Sequence, residues 1–391
     1  MKNSPDSKKN MKSRVVLVEC PEYRQETVSR AVQKGIDLMG GVGQFARKNE
    51  TLLLKPNLLA GESPEKSVTT HPTVFKAVGE VFKNQGIRLV YGDSPGIGNP
   101  EKVARKSGLK AMADELNIPL TDFKTGRKVT YARALVARHL TLARAALDAH
   151  GIISISKMKT HALTGITGAV KNSFGCVPGF LKEEFHLKMK DINLFCSLLV
   201  DITAYLRPRL HIMDGIVAME GNGPRSGDPK NMNVLLFSTD PVALDSVFCQ
   251  LIDFNPLYVP YLKIGQESGL GTCNPAEIEV SGDDLKKFIR TDFKIKRRPI
   301  QKLTLAQNLP HFIKNIIISR PMIDYRLCTN CGSCVLQCPI PEKAVNWKTG
   351  GKKEKPRYDY SRCIRCYCCQ EICPEKAISV KTPFLGKMIF R

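Results

Sequence analysis

The 391-residue sequence predicts an α/β protein: a large domain on a mostly parallel sheet, arranged as two lobes, and a small α+β domain after it. From Val15 to about residue 280, short apolar runs alternate with segments of helical periodicity, which is typical of a sheet covered by helices on both faces. Nine of the fourteen cysteines then fall between Cys328 and Cys373. The chain also exceeds the length of one ordinary core, so we expect at least two domains.

Changes in composition divide the chain into four segments. Residues 1–13 are polar, which predicts a flexible N-terminus. Residues 14–282 hold the strand–helix alternation, residues 283–320 form a basic connector, and residues 321–391 hold the cysteines. The connector carries apolar residues at helical spacing, namely Leu303, Leu305, Leu309, Phe312 and Ile316. We expect this face to pack on one of the domains rather than on a membrane surface.

The periodicity of the large domain predicts individual elements. The predicted strands are residues 15–19, 52–54, 87–91, 151–156, 211–213 and 234–237. The predicted helices are residues 22–39, 72–84, 187–206 and 242–251.

A formal net charge of +22 raises nucleic acid, an anionic membrane or an acidic protein as partner classes. Aromatic residues interleaved with the basic ones and a recognised nucleic-acid fold are both missing, so a solvated basic surface is favoured over nucleic-acid binding. No uncharged apolar run approaches the roughly 18 residues that span a bilayer, and the N-terminus lacks a signal-peptide core. With free thiols at metal-ligand spacing, the sequence predicts a reducing, cytoplasmic location.

The C-terminal cysteines form two copies of one spacing, C-x2-C-x2-C-x3-C-P, offset by 35 residues. The first copy is Cys328, Cys331, Cys334 and Cys338, and the second is Cys363, Cys366, Cys369 and Cys373. Asp-Tyr precedes each copy and Pro-Glu-Lys-Ala follows each, which indicates a duplicated half-module.

This spacing predicts two 4Fe–4S clusters. Three cysteines in a tight loop reach three irons of one cubane, and the fourth opens a helix that leads to the other cluster. One cluster is therefore assigned Cys328, Cys331, Cys334 and Cys373, and the other Cys363, Cys366, Cys369 and Cys338. Zinc sites use separated C-x2-C pairs, and disulfides do not suit a reducing compartment. Cys368 is an additional thiol beside this frame.

The cysteine segment resembles bacterial two-cluster ferredoxins, and the resemblance implies low-potential one-electron transfer. The large domain is similar to the "domain of unknown function 362" family over about residues 14–280. The motifs that carry this resemblance lie at 54–57 (LKPN), 70–72 (THP), 92–96 (GDSPG), 157–161 (KMKTH), 168–172 (GAVKN), 213–215 (MDG), 221–224 (GNGP) and 239–243 (TDPVA). Family members often carry a ferredoxin module, and the resemblance implies no established activity.

The polar residues of these motifs fall where predicted strands end, which is where ligands bind in open α/β sheets. The proposed catalytic residues are Asp93, Lys157, Lys159 and His161. The proposed ligand-binding residues are Lys55, Asn57, Lys171, Asn172 and Arg225, the last in a glycine-rich loop whose amides would wrap an anion. Several lysines in one cleft would attract an anionic substrate.

Plainer interpretations stay open for each of these residues. A single lysine is often a solvated surface charge, and Asp93 or Asp240 would serve as a helix cap. His71 precedes Pro72 at a predicted helix start and suits a turn. A metal site on His71 and His161 lacks any supporting spacing.

Three functions follow as hypotheses. In the first, the protein is an iron–sulfur oxidoreductase whose large domain binds a small anionic substrate, with a ferredoxin, flavodoxin or reductase as redox partner. In the second, it is a ferredoxin-like electron carrier or docking protein without catalysis of its own. In the third, it is a racemase-like enzyme in which the clusters are structural. The predicted electron transfer by the clusters favours the first hypothesis. That hypothesis requires the cleft to lie close enough to a cluster for electrons to pass between them.

Overall fold

The computed structural model describes residues 12–189, 191–300, 309–347 and 354–389. Its strands are β1 (Ser13–Glu19), β2 (Thr51–Lys55), β3 (Arg88–Tyr91), β4 (Gly126–Thr130), β5 (His139–Ala143), β6 (Gly151–His161), β7 (Gly165–Thr167), β8 (Leu210–Glu220), β9 (Asp228–Ser238), β10 (Ile278–Gly282), β11 (Arg320–Ile323), β12 (Val345–Asn346), β13 (Arg357–Tyr358) and β14 (Ile378–Lys381). Its helices are α1 (Gln25–Leu38), α2 (Pro72–Lys83), α3 (Pro100–Lys106), α4 (Leu109–Glu115), α5 (Arg144–Asp148), α6 (Ala169–Asn172), α7 (Gly179–Lys188), α8 (Ile192–Leu206), α9 (Pro241–Leu251), α10 (Pro260–Glu267), α11 (His311–Ile317), α12 (Ser333–Leu336), α13 (Cys368–Glu371) and α14 (Phe384–Ile389).

One eight-stranded sheet forms the large domain, in the order β10-β1-β9-β8-β6-β2-β3, with β7 added beside β6. The pairs β1–β10, β2–β3, β2–β6 and β6–β8 are parallel, whereas β9 runs antiparallel to both of its neighbours. The α/β class and the mostly parallel sheet are therefore confirmed. The large domain does not divide into the two expected lobes. It has a single continuous sheet with helices packed on each of its two faces.

Alternation along β1 shows how the sheet builds two cores. Val15 and Leu17 join one apolar cluster with α8 and α9, whereas Val16 and Val18 join another with α1 and α2. Side chains two residues apart share a face of a strand, so a run of four valines and leucines is buried on both sides. All four side chains are at most 1% exposed.

The predicted helix at 187–206 is two helices in the structure. Helix α7 ends at Lys188, and α8 begins at Ile192 after an Asp191 cap. The Asp191 carboxylate accepts hydrogen bonds from the amides of Asn193 (2.7 Å) and Leu194 (3.3 Å). An aspartate in this position satisfies amides that the new helix leaves unpaired, so it starts a helix rather than continuing one.

The connector is described only in part. Its residues 301–308, with Leu303 and Leu305, lie outside the described residues, as do residues 1–11 of the predicted flexible terminus. Helix α11 packs against α14, but Phe312 is 68% exposed and Ile316 45% exposed. The expectation that these two residues pack on a domain is therefore wrong. No helix in the described parts of the chain is both long and apolar enough to cross a membrane.

Candidate functional site

A small cavity lies where the carboxyl ends of β2, β3 and β6 meet the cysteine module. Its volume is about 100 Å³. Asn57, Asp93 and Lys159 line it from the sheet, and Cys368 and Glu371 line it from the cysteine module. Ligands of open α/β sheets bind beyond the carboxyl ends of the strands, and this cavity has that location. It is named the strand-end cavity below.

Lys55 and Asp93 form a buried ion pair behind one wall of the cavity. The Lys55 ammonium donates to Asp93 Oδ1 (2.9 Å), to Asn172 Oδ1 (3.2 Å) and to a backbone carbonyl (3.0 Å), which uses its three donors. The second Asp93 oxygen accepts from the Leu58 amide at 2.7 Å. A Cβ on Gly175 would lie 1.9 Å from Asp93 Oδ1, so glycine is needed there. Lys55 thus holds Asp93 and Asn172 in position and does not itself reach the cavity.

Lys159 keeps one donor for a ligand. Its buried ammonium donates to Asn57 Oδ1 at 2.7 Å and to the Val68 carbonyl at 2.6 Å, and its third N–H has no partner among the described residues. Burial, followed by the neighbouring ammonium groups of Lys171 and Lys157, lowers the pKa of Lys159 well below its usual value. An anion in the cavity would offset both effects and favour the charged amine.

His161 presents a single ring nitrogen to the cavity. Its Nδ1 accepts hydrogen bonds from the amides of Leu163 (3.1 Å) and Thr164 (3.3 Å), so the neutral ring carries its proton on Nε2. Burial, followed by the Lys171 charge, lowers the pKa of His161 to about 4. Nε2 lies 3.0 Å from Glu371 Oε1, but the two are not aligned for a hydrogen bond, and neither has another partner in the described chain. A bound ligand that accepts from this N–H would share it with the Glu371 carboxylate or displace that contact.

Helix α7 adds two residues that the sequence did not single out, Lys182 and His186, and both line the cavity. The Lys182 ammonium donates to the Ser94 carbonyl, and the ammonium groups of Lys182 and Lys171 each lie 5.9 Å from the Phe174 ring centre. Burial lowers the pKa of Lys182 to about 8 and that of His186 to about 4. Their spacing of four residues on a helix was the only sequence signal for a shared face.

The cavity has an excess of positive charge. Lys159, Lys171 and Lys182 line it together with the carboxylates of Asp93 and Glu371, and Asp93 is already paired with a lysine behind the wall. Its volume admits only a few heavy atoms. Electrostatics and size together select a small anion.

Lys157 belongs to a different buried cluster. Its ammonium donates to Asp214 Oδ2 (2.8 Å) and to the Tyr23 hydroxyl (2.7 Å), and Tyr23 donates to Asp214 Oδ1 (2.7 Å). The β6–β8 register shifts between Lys157 and Lys159, which explains why lysines two residues apart do not reach the same partners. His71 stacks on Tyr23 with ring centres 3.5 Å apart and caps α2, as the turn interpretation predicts. Lys157 is not among the residues that line the strand-end cavity.

The glycine-rich loop with Arg225 contacts the cysteine module. Arg225 Nε donates to Glu62 Oε1 at 2.9 Å, and its guanidinium also donates to the Ile372 carbonyl. From the module, Gln370 Nε2 donates to the Asn222 carbonyl at 2.8 Å and to Asn222 Oδ1 at 3.0 Å. These bonds give the loop a docking role, and Arg225 does not line the cavity.

The eight framed cysteines form two groups of four. One cavity of about 20 Å³ is lined by Cys328, Cys331, Cys334 and Cys373. Another of about 20 Å³ is lined by Cys338, Cys363, Cys366 and Cys369. Each group combines three cysteines of one loop with the fourth cysteine of the other half, which is the crossed arrangement that the spacing predicts. Within the described chain, no three His, Cys, Asp or Glu side chains converge tightly enough for a single metal ion.

Both cysteine loops have the same backbone conformation. Positive φ angles occur at Asn330 (59°) and Gly332 (79°) in the first loop, and at Arg365 (61°) and Tyr367 (62°) at the matching positions of the second. Non-glycine residues seldom adopt this region, so the repeat indicates a backbone shaped by a demand common to both loops. Turns of this kind point successive amides at one point, which fits the negative charge of a sulfide cluster.

Cys368 lines the strand-end cavity rather than either cysteine cavity. Its thiol donates a hydrogen bond to the sulfur of Cys366. In the first half, Ser333 occupies the matching position, and its hydroxyl oxygen lies 3.3 Å from the sulfur of Cys331. Both halves therefore place a small donor beside the second cysteine of the frame, and Cys368 is positioned as that donor.

The fold and this site define an iron–sulfur protein with an α/β domain and a cluster-binding α+β domain. The family model "4Fe-4S dicluster domain" matches residues 320–374, and "Domain of unknown function (DUF362)" matches residues 52–250. The chain belongs to the DUF362 family, and its C-terminal module is a domain that binds iron–sulfur clusters of the 4Fe–4S type. The family resemblance read from the motifs is confirmed.

A relative of substantial similarity is the "Thylakoid-associated protein sll1697" of Synechocystis sp. It is 35% identical over 268 residues, which cover 68% of this chain and 82% of the relative.

Two solved structures are more distantly similar. The lactate racemase apoprotein from Thermoanaerobacterium thermosaccharolyticum has 12% identity and a TM-score of 0.35, with 60% of this chain and 56% of that chain covered. A protein from Thermotoga maritima has 12% identity and a TM-score of 0.36, with 65% and 60% covered. The chain thus spans less than two thirds of either one.

Proposed function

We propose that this protein is an iron–sulfur oxidoreductase that holds two 4Fe–4S clusters and exchanges electrons with a small anionic substrate in the strand-end cavity. One observation carries this proposal. The cavity is lined by Lys159 and His161 of the large domain and also by Cys368, which directly precedes the ligand candidate Cys369. A molecule bound there would touch the second cysteine loop, so the condition that the cleft lies close to a cluster is supported.

Two groups of four thiols support two clusters, one per cavity. Tyr358 adds a hydrogen bond from its hydroxyl to the sulfur of Cys369 at 3.1 Å. When bound, such clusters supply one-electron transfer at a potential tuned by hydrogen bonds and burial.

Each cavity residue has a role that its environment suits. Lys171 and Lys182 attract the anion, and the Nε2–H of His161 donates a hydrogen bond to one of its oxygens. Lys159 is the proton donor, because burial and the neighbouring lysines lower its pKa and so make its ammonium a stronger acid than an exposed lysine. Asp93 is held by Lys55 and orients the substrate. The module closes the cavity and limits the entry of water.

Electrons come from a reduced partner protein of the ferredoxin, flavodoxin or reductase type. Each electron that the substrate gains is matched by one proton from Lys159, and Lys159 is then reprotonated by acid from the bulk solution. The exposed thiol of Cys331 marks the face of the module that such a partner would meet. With a formal net charge of +22, the chain favours an acidic partner through steering.

We place the protein in the cytoplasm, because reducing conditions preserve both the thiolates and the clusters. The relative from Synechocystis is associated with thylakoids by its name. Peripheral contact of this chain with a membrane facing the cytoplasm is consistent with that location.

The test uses anaerobically prepared, cluster-loaded full-length protein. The protein is reduced with dithionite, and formate, oxalate, pyruvate or lactate is then added while EPR spectra record the cluster signals. We expect at least one of these small carboxylates to perturb or reoxidise the signal. Lys159→Met should weaken the apparent affinity by roughly 10- to 100-fold, since a charge-assisted hydrogen bond contributes about 1.5–3 kcal/mol.

Lys188→Met is the matched control. Lys188 lies on α7 like Lys182, but its side chain is 63% exposed and pairs with Glu184. It should leave the response unchanged, whereas Lys182→Met should weaken it. If no small anion alters the signal, or if Lys159→Met responds as the unmodified protein does, the proposed site is wrong. If turnover of a small carboxylate were unchanged after both groups of four cysteines had been replaced, the clusters would have no redox role in the reaction.

A further inference from the structure

A second and larger cavity lies on the other side of His161. Its volume is about 480 Å³, and His161 lines both this cavity and the strand-end cavity. Its walls come from the large domain, from the segment at 294–300 and from the cysteine module. We name it the interdomain cavity. Its size falls within the range of pockets that hold organic cofactors and substrates of moderate size.

The walls of the interdomain cavity are mostly apolar. Leu163, Ile192, Phe254, Ile300, Ile318 and Tyr367 contribute apolar surface. Lys294, Lys296 and Arg298 stand at its edge, and none of the described residues that line it is acidic. A ligand with an apolar body and a negative group would match both the walls and the charge.

Arg365 supplies the strongest sign that a ligand belongs here. The residue is only 3% exposed, and its Nη2 donates to Asn315 Oδ1. Its Nε and Nη1 have no hydrogen-bond partner within the described chain. A buried guanidinium with unpaired donors is costly, and a carboxylate or phosphate accepts two such donors side by side.

The cysteine cavity nearby does not account for these donors. Cys363 and Cys366 lie on either side of Arg365 in sequence, yet Arg365 lines the interdomain cavity and is not among the residues around the second cysteine cavity. Arg365 therefore lines a space separate from the second cysteine cavity, and its guanidinium also lies 5.1 Å from the centre of the Tyr360 ring. We propose that the interdomain cavity binds an amphipathic organic anion, with a carboxylate or phosphate on Arg365 and an apolar body against Phe254, Ile300 and Tyr367.

This ligand differs from the proposed substrate. The strand-end cavity has about one fifth of the volume of the interdomain cavity and is lined by three lysines, which suits a small ion. The interdomain ligand contacts Arg365 and Tyr367, which flank Cys366 of the second loop. Its binding is therefore expected to change the EPR spectrum of one cluster and to leave the other unchanged.

The test is a fluorescence titration of cluster-loaded protein with 8-anilinonaphthalene-1-sulfonate, an aromatic anion that brightens in apolar surroundings. We expect one saturable site from which decanoate and decyl phosphate displace the probe and inorganic phosphate does not. The stronger of the two competitors would identify the head group. Displacement by inorganic phosphate alone would overturn the apolar part of the proposal.

Two variants change the cavity in independent ways. Arg365→Gln removes the guanidinium, and Ala162→Phe fills space from the large-domain side of the cavity. Each should weaken probe binding at least tenfold, with iron content measured to confirm that the clusters are retained. Arg362→Gln, at an exposed arginine of the same loop that pairs with Glu342, should have no effect. Unchanged binding in both cavity variants would overturn the proposal.

A control is needed for the exposed apolar face of α14, where Met388 is 60% exposed. Met388→Lys should leave the probe affinity intact. Loss of the saturable site in that variant would place the probe on the exposed helix and refute the interdomain site. None of these outcomes depends on whether the strand-end cavity binds a substrate.

Discussion

The two halves of the cysteine module have the same spacing and different surroundings. In the first half, Cys331 is exposed and Leu336 is 76% exposed. In the second half, Arg365 is 3% exposed and Gln370 is fully buried against the large domain. The backbone of the two cysteine loops is nevertheless the same in its positive φ angles. The cluster frame and the surface around it are thus set by different residues.

Four positions that differ between the halves meet the large domain in the second half. A shift of 35 residues aligns the halves and pairs Asn330 with Arg365, Gly332 with Tyr367, Val335 with Gln370 and Leu336 with Glu371. In each pair the second residue contacts the large domain or lines a cavity with it. The second half therefore supplies more of the contact with the large domain, while Cys331 and Leu336 of the first half stay exposed.

The largest expected difference between the halves comes from removing one ligand in each. Cys366→Ser and Cys331→Ser should each lower bound iron by about half, because each removes a ligand from one of the two proposed four-iron clusters. Cys366→Ser should also abolish the response of the remaining signal to a small anion. Cys331→Ser should keep that response and instead slow reduction by a partner protein. Iron analysis and EPR with added carboxylate distinguish the two variants, and an identical loss of response in both would contradict the comparison.

The contact between the cysteine module and the large domain should be weakened by a substitution in the buried second half, but not by one in the exposed first half. Gln370→Ala removes the donor that reaches the Asn222 carbonyl (2.8 Å) and the Gly223 carbonyl (3.2 Å), and should cost about 1–3 kcal/mol in free energy of unfolding. Leu336→Ala, at the exposed position, should change it by less than about 0.5 kcal/mol. Anaerobic urea unfolding of the loaded protein measures both. Equal effects would mean that the halves do not differ in docking.

A fall in pH should lower the free energy of unfolding through His211, which is buried in the large domain. This effect does not involve the exposed half of the module. His211 is 1% exposed, and burial lowers its pKa from 6.5 to about 3. A depressed folded-state pKa stabilises the fold above about pH 6.5, and that stability is lost as pH falls toward 3, by at most roughly 1.4 kcal/mol per pH unit. In His211→Gln, the free energy of unfolding should fall less steeply over this window.

Urea unfolding between pH 7 and pH 4 provides the measurement for His211. His139→Gln, at an exposed position of β5, is the control and should keep the slope of the unmodified protein. A slope unaltered by His211→Gln would show that this side chain is not the group that takes up the proton.

The smallest expected effect concerns the extra thiol. Cys368→Ser gives the second half the residue that the first half has at Ser333, and a hydroxyl can still donate to the sulfur of Cys366. Iron content should be unchanged, and the potential of one cluster should shift by less than about 60 mV, the equivalent of one hydrogen bond. Redox titration followed by EPR measures this shift. Loss of iron in Cys368→Ser would instead identify Cys368 as a cluster ligand.

The sequence predicted the cysteine groups well because their chemistry is local. Four thiols at fixed intervals define two loops, and the predicted crossing of Cys338 and Cys373 is seen in the two cysteine cavities. The expectation that each of these cysteines opens a helix is wrong, because each one follows a short helix instead. The central strands were also predictable from apolar runs, although their ends were not. Strand β6 continues from residue 156 to His161, because Lys157 and Lys159 are buried by partners far along the chain.

The candidate site was only half predictable, because the contact between domains has no pattern in sequence. Asp93, Lys159 and His161 were found from their positions after strands, and Lys171, Asn57 and Asn172 also line the cavity. Glu371, Lys182 and His186 also line the cavity, but the sequence analysis did not single them out. Arg225 and Lys157 have cationic side chains in suitable motifs, yet each is engaged by a carboxylate elsewhere.

The residues that the module contributes to the two cavities also bear on how its two halves came to differ. A tandem copy must exist before its members can diverge, and the divergent positions of the second copy have meaning only beside the large domain. A free-standing two-cluster carrier, whose halves face solvent alike, would bring neither Glu371 nor Arg365 to the large domain. The two cavities are therefore complete only when the module and the large domain are together.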